Sequence, residues 1–108
     1  MMQVFETDTF KRWLEDLRDA QAKARIVRRI DRLTVGNPGD VKPVGEGISE
    51  MRIDDGPGYR IYFLQAGNLC VLLLCGGDKG TQSRDIAAAK NSPRNGRTRQ
   101  YGNESHSL

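Results

Sequence analysis

The chain has little of what anchors metals or cross-links. Two cysteines and one histidine occur in 108 residues. Cys70 and Cys75 lie five positions apart in one apolar run. Odd spacing points them to opposite faces of a strand, about 16 Å apart along extended chain, so they are not expected to pair. Two buried, reduced thiols are the expectation, which fits a cytoplasmic protein. The histidine, His106, stands in a polar stretch, so neither metal nor cofactor is expected. No apolar run reaches membrane-spanning length; the longest, residues 69–75, is of strand length. Residues 5–19 carry too many charges for a signal peptide, and no membrane role is expected. There is no internal repeat. Apolar residues almost vanish after residue 91, so residues 1–91 are expected to form one domain and residues 92–108, with Arg94, Arg97 and Arg99, a disordered basic tail.

What remains is a balanced composition, 37% hydrophobic and 29% charged with a net charge of +3. That describes a small soluble globule in which the distribution of charge matters more than its sum.

Residues 2–5 form a short apolar start, expected as an edge or outer strand. Thr7 or Asp8 then offers an N-cap, and Phe10, Trp13, Leu14 and Leu17 follow at i, i+3, i+4 and i+7. Trp13 falls within that stripe, so core packing is its expected role. A second helix is expected over residues 20–35, with Ala22, Ile26, Ile30 and Leu33 as its buried stripe. Arg25, Arg28, Arg29 and Arg32 make a cationic stripe beside it, either a solvated face or a binding face for a polyanion or partner. Gly36-Asn37-Pro38-Gly39-Asp40 stops the helix. Two helices joined this closely form an antiparallel hairpin that must bury its stripes on the sheet that follows.

That sheet begins with a short extended piece, residues 41–44, whose Pro43 suits an edge. In the next strand Met51 and Ile53 alternate with Glu50 and Arg52, so the two charges are expected side by side on an open face. Asp55-Gly56-Pro57-Gly58 is a turn. In the strand after it, Arg60 and Tyr62 fall on the open face while Ile61 and Phe63 are buried. A central strand, residues 69–75, follows. A charged, glycine-rich loop is expected over residues 76–82, then a short helix, residues 84–90, capped by Thr81 or Ser83.

These elements and their motifs resemble the RelE/ParE superfamily of bacterial toxins. The motifs are Thr7-Asp8-Thr9-Phe10-x-x-Trp13-Leu14, Arg25-Ile26-x-x-Arg29-Ile30-x-Arg32-Leu33, Gly36-Asn37-Pro38-Gly39-Asp40 and Lys42-Pro43-Val44-Gly45. To these are added Glu50-x-Arg52-Ile53, Gly56-Pro57-Gly58-Tyr59-Arg60-x-Tyr62 and Leu74-x-Gly76-Gly77-Asp78-Lys79-x-Thr81-Gln82. Together they look like the branch of addiction-module killer proteins, or HigB-like toxins. The resemblance implies an α+β fold: an N-terminal strand, a helical hairpin on a mainly antiparallel sheet, and a short C-terminal helix. It also implies a small cytoplasmic toxin neutralised by a helix-turn-helix antitoxin encoded beside it, needing no small-molecule ligand.

RelE-type members cut mRNA on the ribosome. The matching positions here are Glu50, Arg52, Arg60, Lys79 and the region of Gln82 and Asp85. Lysines at the two first-strand sites, an arginine at the loop site and a tyrosine near Asp85 are the RelE pattern, from which Glu50, Lys79 and Asp85 depart. RNA is cut without metal when its 2′-hydroxyl attacks the adjacent phosphate, which needs a base, an acid and positive charge at the phosphorane. Arg60 and Arg52 suit the charge, with Lys79 reaching the same phosphate. Glu50 is a candidate base and Asp85 a second. Lys42, Tyr62 and Gln82 are candidate RNA contacts, Tyr62 by stacking. The Arg25, Arg28, Arg29 and Arg32 stripe is assigned to the antitoxin. The alternatives are a ParE-like, non-enzymatic gyrase inhibitor and a plain nucleic-acid-binding module.

Overall fold

A computed structural model of the chain describes residues 1–54, 56–94 and 96–98. In order the elements are β1 (Gln3–Glu6), α1 (Asp8–Glu15), α2 (Ala20–Thr34), β2 (Val41–Gly45), β3 (Ile48–Ile53), β4 (Tyr59–Ala66), β5 (Cys70–Asp78), a 3-10 turn (Lys79–Thr81), α3 (Gln82–Lys90) and β6 (Arg97–Thr98). Strand order across the single sheet is β2-β3-β4-β5-β1-β6. Among the described residues the β1–β5 pairing is parallel and the other pairings are antiparallel. The architecture is α+β. Among the described residues no helix is long and apolar enough to cross a membrane.

Local chemistry sets the helix ends. Thr7 caps α1, its hydroxyl accepting the Phe10 N–H at 3.0 Å. The Asp19 carboxylate caps α2 through the N–H groups of Gln21 and Ala22. Gly36 ends α2 with φ of 88°, a left-handed conformation that costs glycine no Cβ clash. The α1–α2 hairpin lays Phe10, Leu14, Ala22, Ile26, Ile30 and Leu33 on Met51, Ile53, Ile61, Phe63, Val71 and Leu73. Trp13 joins that layer, its ring 5.8 Å from Phe10 and 6.3 Å from Tyr59.

Five expectations change. First, β1 is no edge strand: it lies between β5 and β6. Second, the other sheet face is not open. Helix α3 covers part of it, closing a second core of Ile48, Tyr62, Leu74, Cys75 and Ala89. Third, residues 76–78 are not loop. β5 runs on to Asp78, because both glycines sit under close-packed groups. A Cβ on Gly76 would run into the Trp13 ring, and one on Gly77 would run into the Asp85 carboxylate. These glycines serve close approach rather than flexibility. Fourth, an irregularity in the β4–β5 ladder between Tyr62 and Phe63 leaves Leu74 and Cys75 in the same core layer. By strand alternation Cys70 then falls on the side of Cys75, not opposite it. Both cysteines are free. Fifth, Arg97–Thr98 of the expected tail pairs with β1. The expected disorder of residues 99–108 lies outside the described residues, as does Asp55 of the expected turn.

Gly77→Ala should displace the start of α3 and destabilise the fold by about 1–3 kcal/mol, an overpacking cost. A lowered urea midpoint, with unchanged far-ultraviolet circular dichroism at zero urea, is the result to look for.

Candidate functional site

Residues directly opposite one another in an antiparallel ladder share a sheet face. The register places Lys42 opposite Glu50, Glu50 opposite Tyr62, and Tyr62 opposite Cys75. One row further on, Arg52 stands opposite Arg60. Four of the expected site residues are thus gathered on β3 and β4 by strand pairing alone.

Glu50 is the centre of the first row. It is fully buried, at 0% exposure. Its Oε1 accepts from Arg52 Nε at 3.0 Å. Its Oε2 accepts from the Tyr62 hydroxyl at 3.0 Å and from Gln82 Nε2 at 2.7 Å. Three donors from β3, β4 and α3 therefore meet on one carboxylate. Burial by itself pushes that carboxyl up; the hydrogen bonds from Gln82, Arg52 and Tyr62 outweigh it and hold it below its ordinary value of 4.5. Burial, then the bond to Glu50, push the Tyr62 hydroxyl up. Burial, then Asp85, push the Cys75 thiol up to about 12.

This network changes two expected roles. Glu50 is ionised but enclosed by its donors, so it orients Arg52, Tyr62 and Gln82 instead of facing a substrate. Tyr62 is fully buried, with its hydroxyl on Glu50, and presents no ring for stacking. Gln82, half-buried, fastens α3 to the sheet. Asp85 is buried as well: its Oδ2 accepts from the Thr81 hydroxyl, and its Oδ1 lies 3.5 Å from Arg84 Nε. Thr81 stands at the N-cap of α3 without a side-chain cap, its hydroxyl being turned to Asp85.

The cations gather at the rim. Arg60 is 8% exposed and its Nη1 donates to its neighbour's carbonyl, Tyr59 O, at 3.2 Å. Arg60 Nε is buried without a hydrogen-bond partner, alone in this among the side-chain nitrogens and oxygens of the described residues. Arg60 and Lys79 line one hollow of about 280 Å³ with Asp54, Gly56, Pro57 and Gly58. The 3-10 turn positions Lys79: Asp78 Oδ1 accepts the Gly80 N–H at 2.8 Å, and the Asp78 N–H donates to Thr81 Oγ1. Arg52, half-buried, lies across the ladder from Arg60, held by Glu50. Lys42 is exposed on β2, at the sheet edge.

The helical stripe divides. Arg29 donates to the carbonyls of Arg52 at 2.7 Å, Pro38 at 3.1 Å and Asp40 at 3.4 Å, clipping α2 to the start of β2 and the end of β3. Burial first pulls its guanidinium below the ordinary value, partly offset by Asp40. Arg25, Arg28 and Arg32 lie exposed beside it. Sequence reasoning missed the clip and missed Asp54. The placement of Asp54 directly after β3, at the entry to the glycine-rich turn, was the signal for the second.

The fold and site define a small α+β protein in which a buried carboxylate latches a helix onto the sheet and a cationic hollow opens at the sheet's end. Residues 12–93 match the family described as Phage derived protein Gp49-like (DUF891), and the chain belongs to it. An uncharacterized protein of Haemophilus influenzae (strain Rd) is 52% identical over 89 residues, 82% of this chain and 90% of that protein.

The lowered Glu50 pKa means that ionisation favours the folded state. Its contribution is present above the ordinary carboxyl value and is lost as pH falls through the folded value. Stability should therefore fall as pH drops below the ordinary carboxyl value. Glu50→Gln should flatten that dependence, and Glu50→Ala should cost about 2–4 kcal/mol at neutral pH by stranding buried donors. Urea titrations at several pH values read both.

Proposed function

We propose that this chain is the toxin of a type II toxin–antitoxin pair and acts as a ribosome-dependent mRNA endonuclease that inhibits translation. Membership of the Gp49-like family supports the toxin part, since that family is one of addiction-module toxins of RelE/HigB-like kind. An antitoxin partner follows from the same membership. The observation that carries the nuclease part is the hollow itself. Arg60, whose Nε is buried without a hydrogen-bond partner, lines the same hollow as Lys79, with Arg52 across the ladder from it. Such a guanidinium is ready to take a phosphate oxygen.

In this reading Arg60 and Lys79 grip the scissile phosphate, and Arg52, aimed by Glu50, adds charge as the phosphorane forms. The 2′-oxygen bonds to phosphorus and the bond to the 5′-oxygen breaks. This leaves a 2′,3′-cyclic phosphate and a 5′-hydroxyl. Glu50 and Asp85 are enclosed, so the base falls to Asp54, the carboxylate among the described residues that lines the hollow. The leaving oxygen takes its proton from water.

Arg60→Ala and Lys79→Ala should each slow cleavage of a defined mRNA on purified ribosomes by about 10²–10³-fold, the scale of losing one charge-stabilising donor. Growth arrest on induction should disappear, with folding verified by circular dichroism. Wild-type cleavage in Arg60→Ala removes the hollow from the chemistry. Growth arrest without cleavage, together with blocked supercoiling by gyrase, assigns the chain to the ParE-like, non-enzymatic alternative.

A further inference from the structure

The hollow at the end of β3 has a neighbour. Arg25, Arg28, Arg29 and Arg32 of α2 line a second hollow of about 290 Å³ with Ile53 and Asp54. Asp54 thus stands in the wall of both. The two hollows are successive stations around the end of β3, one bounded by α2 and the other by the turn of residues 56–58 and Lys79. Among the described residues, six cationic side chains border them against one carboxylate.

We propose that the α2 hollow is the second half of a single nucleic-acid track, and that it holds the phosphate backbone of a single-stranded RNA whose neighbouring nucleotides occupy the Arg60–Lys79 hollow. The proposal rests on the nuclease reading of that first hollow and extends it to residues with no part in the chemistry. Arg29 gives the track a fixed floor, because three carbonyls hold its guanidinium in place. Arg28 and Arg32 are exposed along the same helix. Arginine forks suit phosphate, and Arg28 and Arg32, about one helical turn apart, match a backbone of two phosphates better than a single ion. The antitoxin is the rival occupant of this stripe. The wall shared at Asp54 favours RNA, because the two hollows adjoin there and a strand held in one is within reach of the other.

The test measures binding of a trinucleotide and of a roughly ten-nucleotide RNA, both with a non-cleavable 2′-deoxy linkage, to wild type, Arg28→Glu/Arg32→Glu and Arg60→Ala across a salt series. The longer RNA should bind wild type at least tenfold more tightly than the trinucleotide. The double variant should erase that gain and leave trinucleotide binding unchanged. Each phosphate contact on a single strand contributes about 0.7 to the slope of log affinity against log salt, so the slope should fall by about 1.4. An unchanged length dependence in the double variant overturns the track and leaves the Arg60–Lys79 hollow standing. Loss of its co-purification with the product of the adjacent gene, with RNA binding intact, gives the stripe to the antitoxin. Trinucleotide binding unmoved by Arg60→Ala, with the length dependence still lost in the double variant, fails the first hollow and keeps the track. No binding of either RNA to wild type overturns both.

Discussion

One carboxylate ties β3, β4 and α3 together in this protein. Glu50 takes hydrogen bonds from Arg52 on its own strand, from Tyr62 on the next, and from Gln82 on α3. A buried charge is tolerated only when its lone pairs are occupied, and here three donors do so. The result is directional. Apolar contacts under α3 press it to the sheet, while the Gln82–Glu50 bond fixes where along the sheet it sits.

That latch decides which cations remain accessible. With α3 seated over Tyr62 and Cys75, the middle of the sheet is closed to solvent. Cations that alternation would spread over an open face are reachable only at the rim, where β3 and β4 end and the 3-10 turn begins. Arg60 and Lys79 share the hollow there with Asp54. The glycines of β5 belong to the same arrangement, since only a strand without side chains at Gly76 and Gly77 lets Trp13 and Asp85 approach it from opposite sides.

Much of this was legible in the residues. The stripe of Phe10, Trp13 and Leu14, the stripe of Ile26, Ile30 and Leu33, and the alternation of Met51 and Ile53 with Glu50 and Arg52 each matched their element, because burial on one side imposes a period. The grouping of Glu50, Arg52, Arg60 and Tyr62 on one face followed from strand pairing. What covers that face did not, because α3 is weakly amphipathic and its docking depends on side-chain hydrogen bonds between residues more than thirty positions apart. The Arg29 clip was hidden for a related reason: a cation serving three backbone carbonyls looks, in sequence, like its exposed neighbours on the same helix.

From the sequence by itself came the order of elements from β1 to α3 and the two stripes that meet in the main core, since these depend on periodicity and local turn chemistry. Only the tertiary structure decided that Glu50 and Tyr62 are interior, that Asp54 joins Arg60 and Lys79, and that the hollow opens at the rim. Those outcomes depend on which element comes to rest over a face, and that is set by contacts between parts of the chain far apart in sequence.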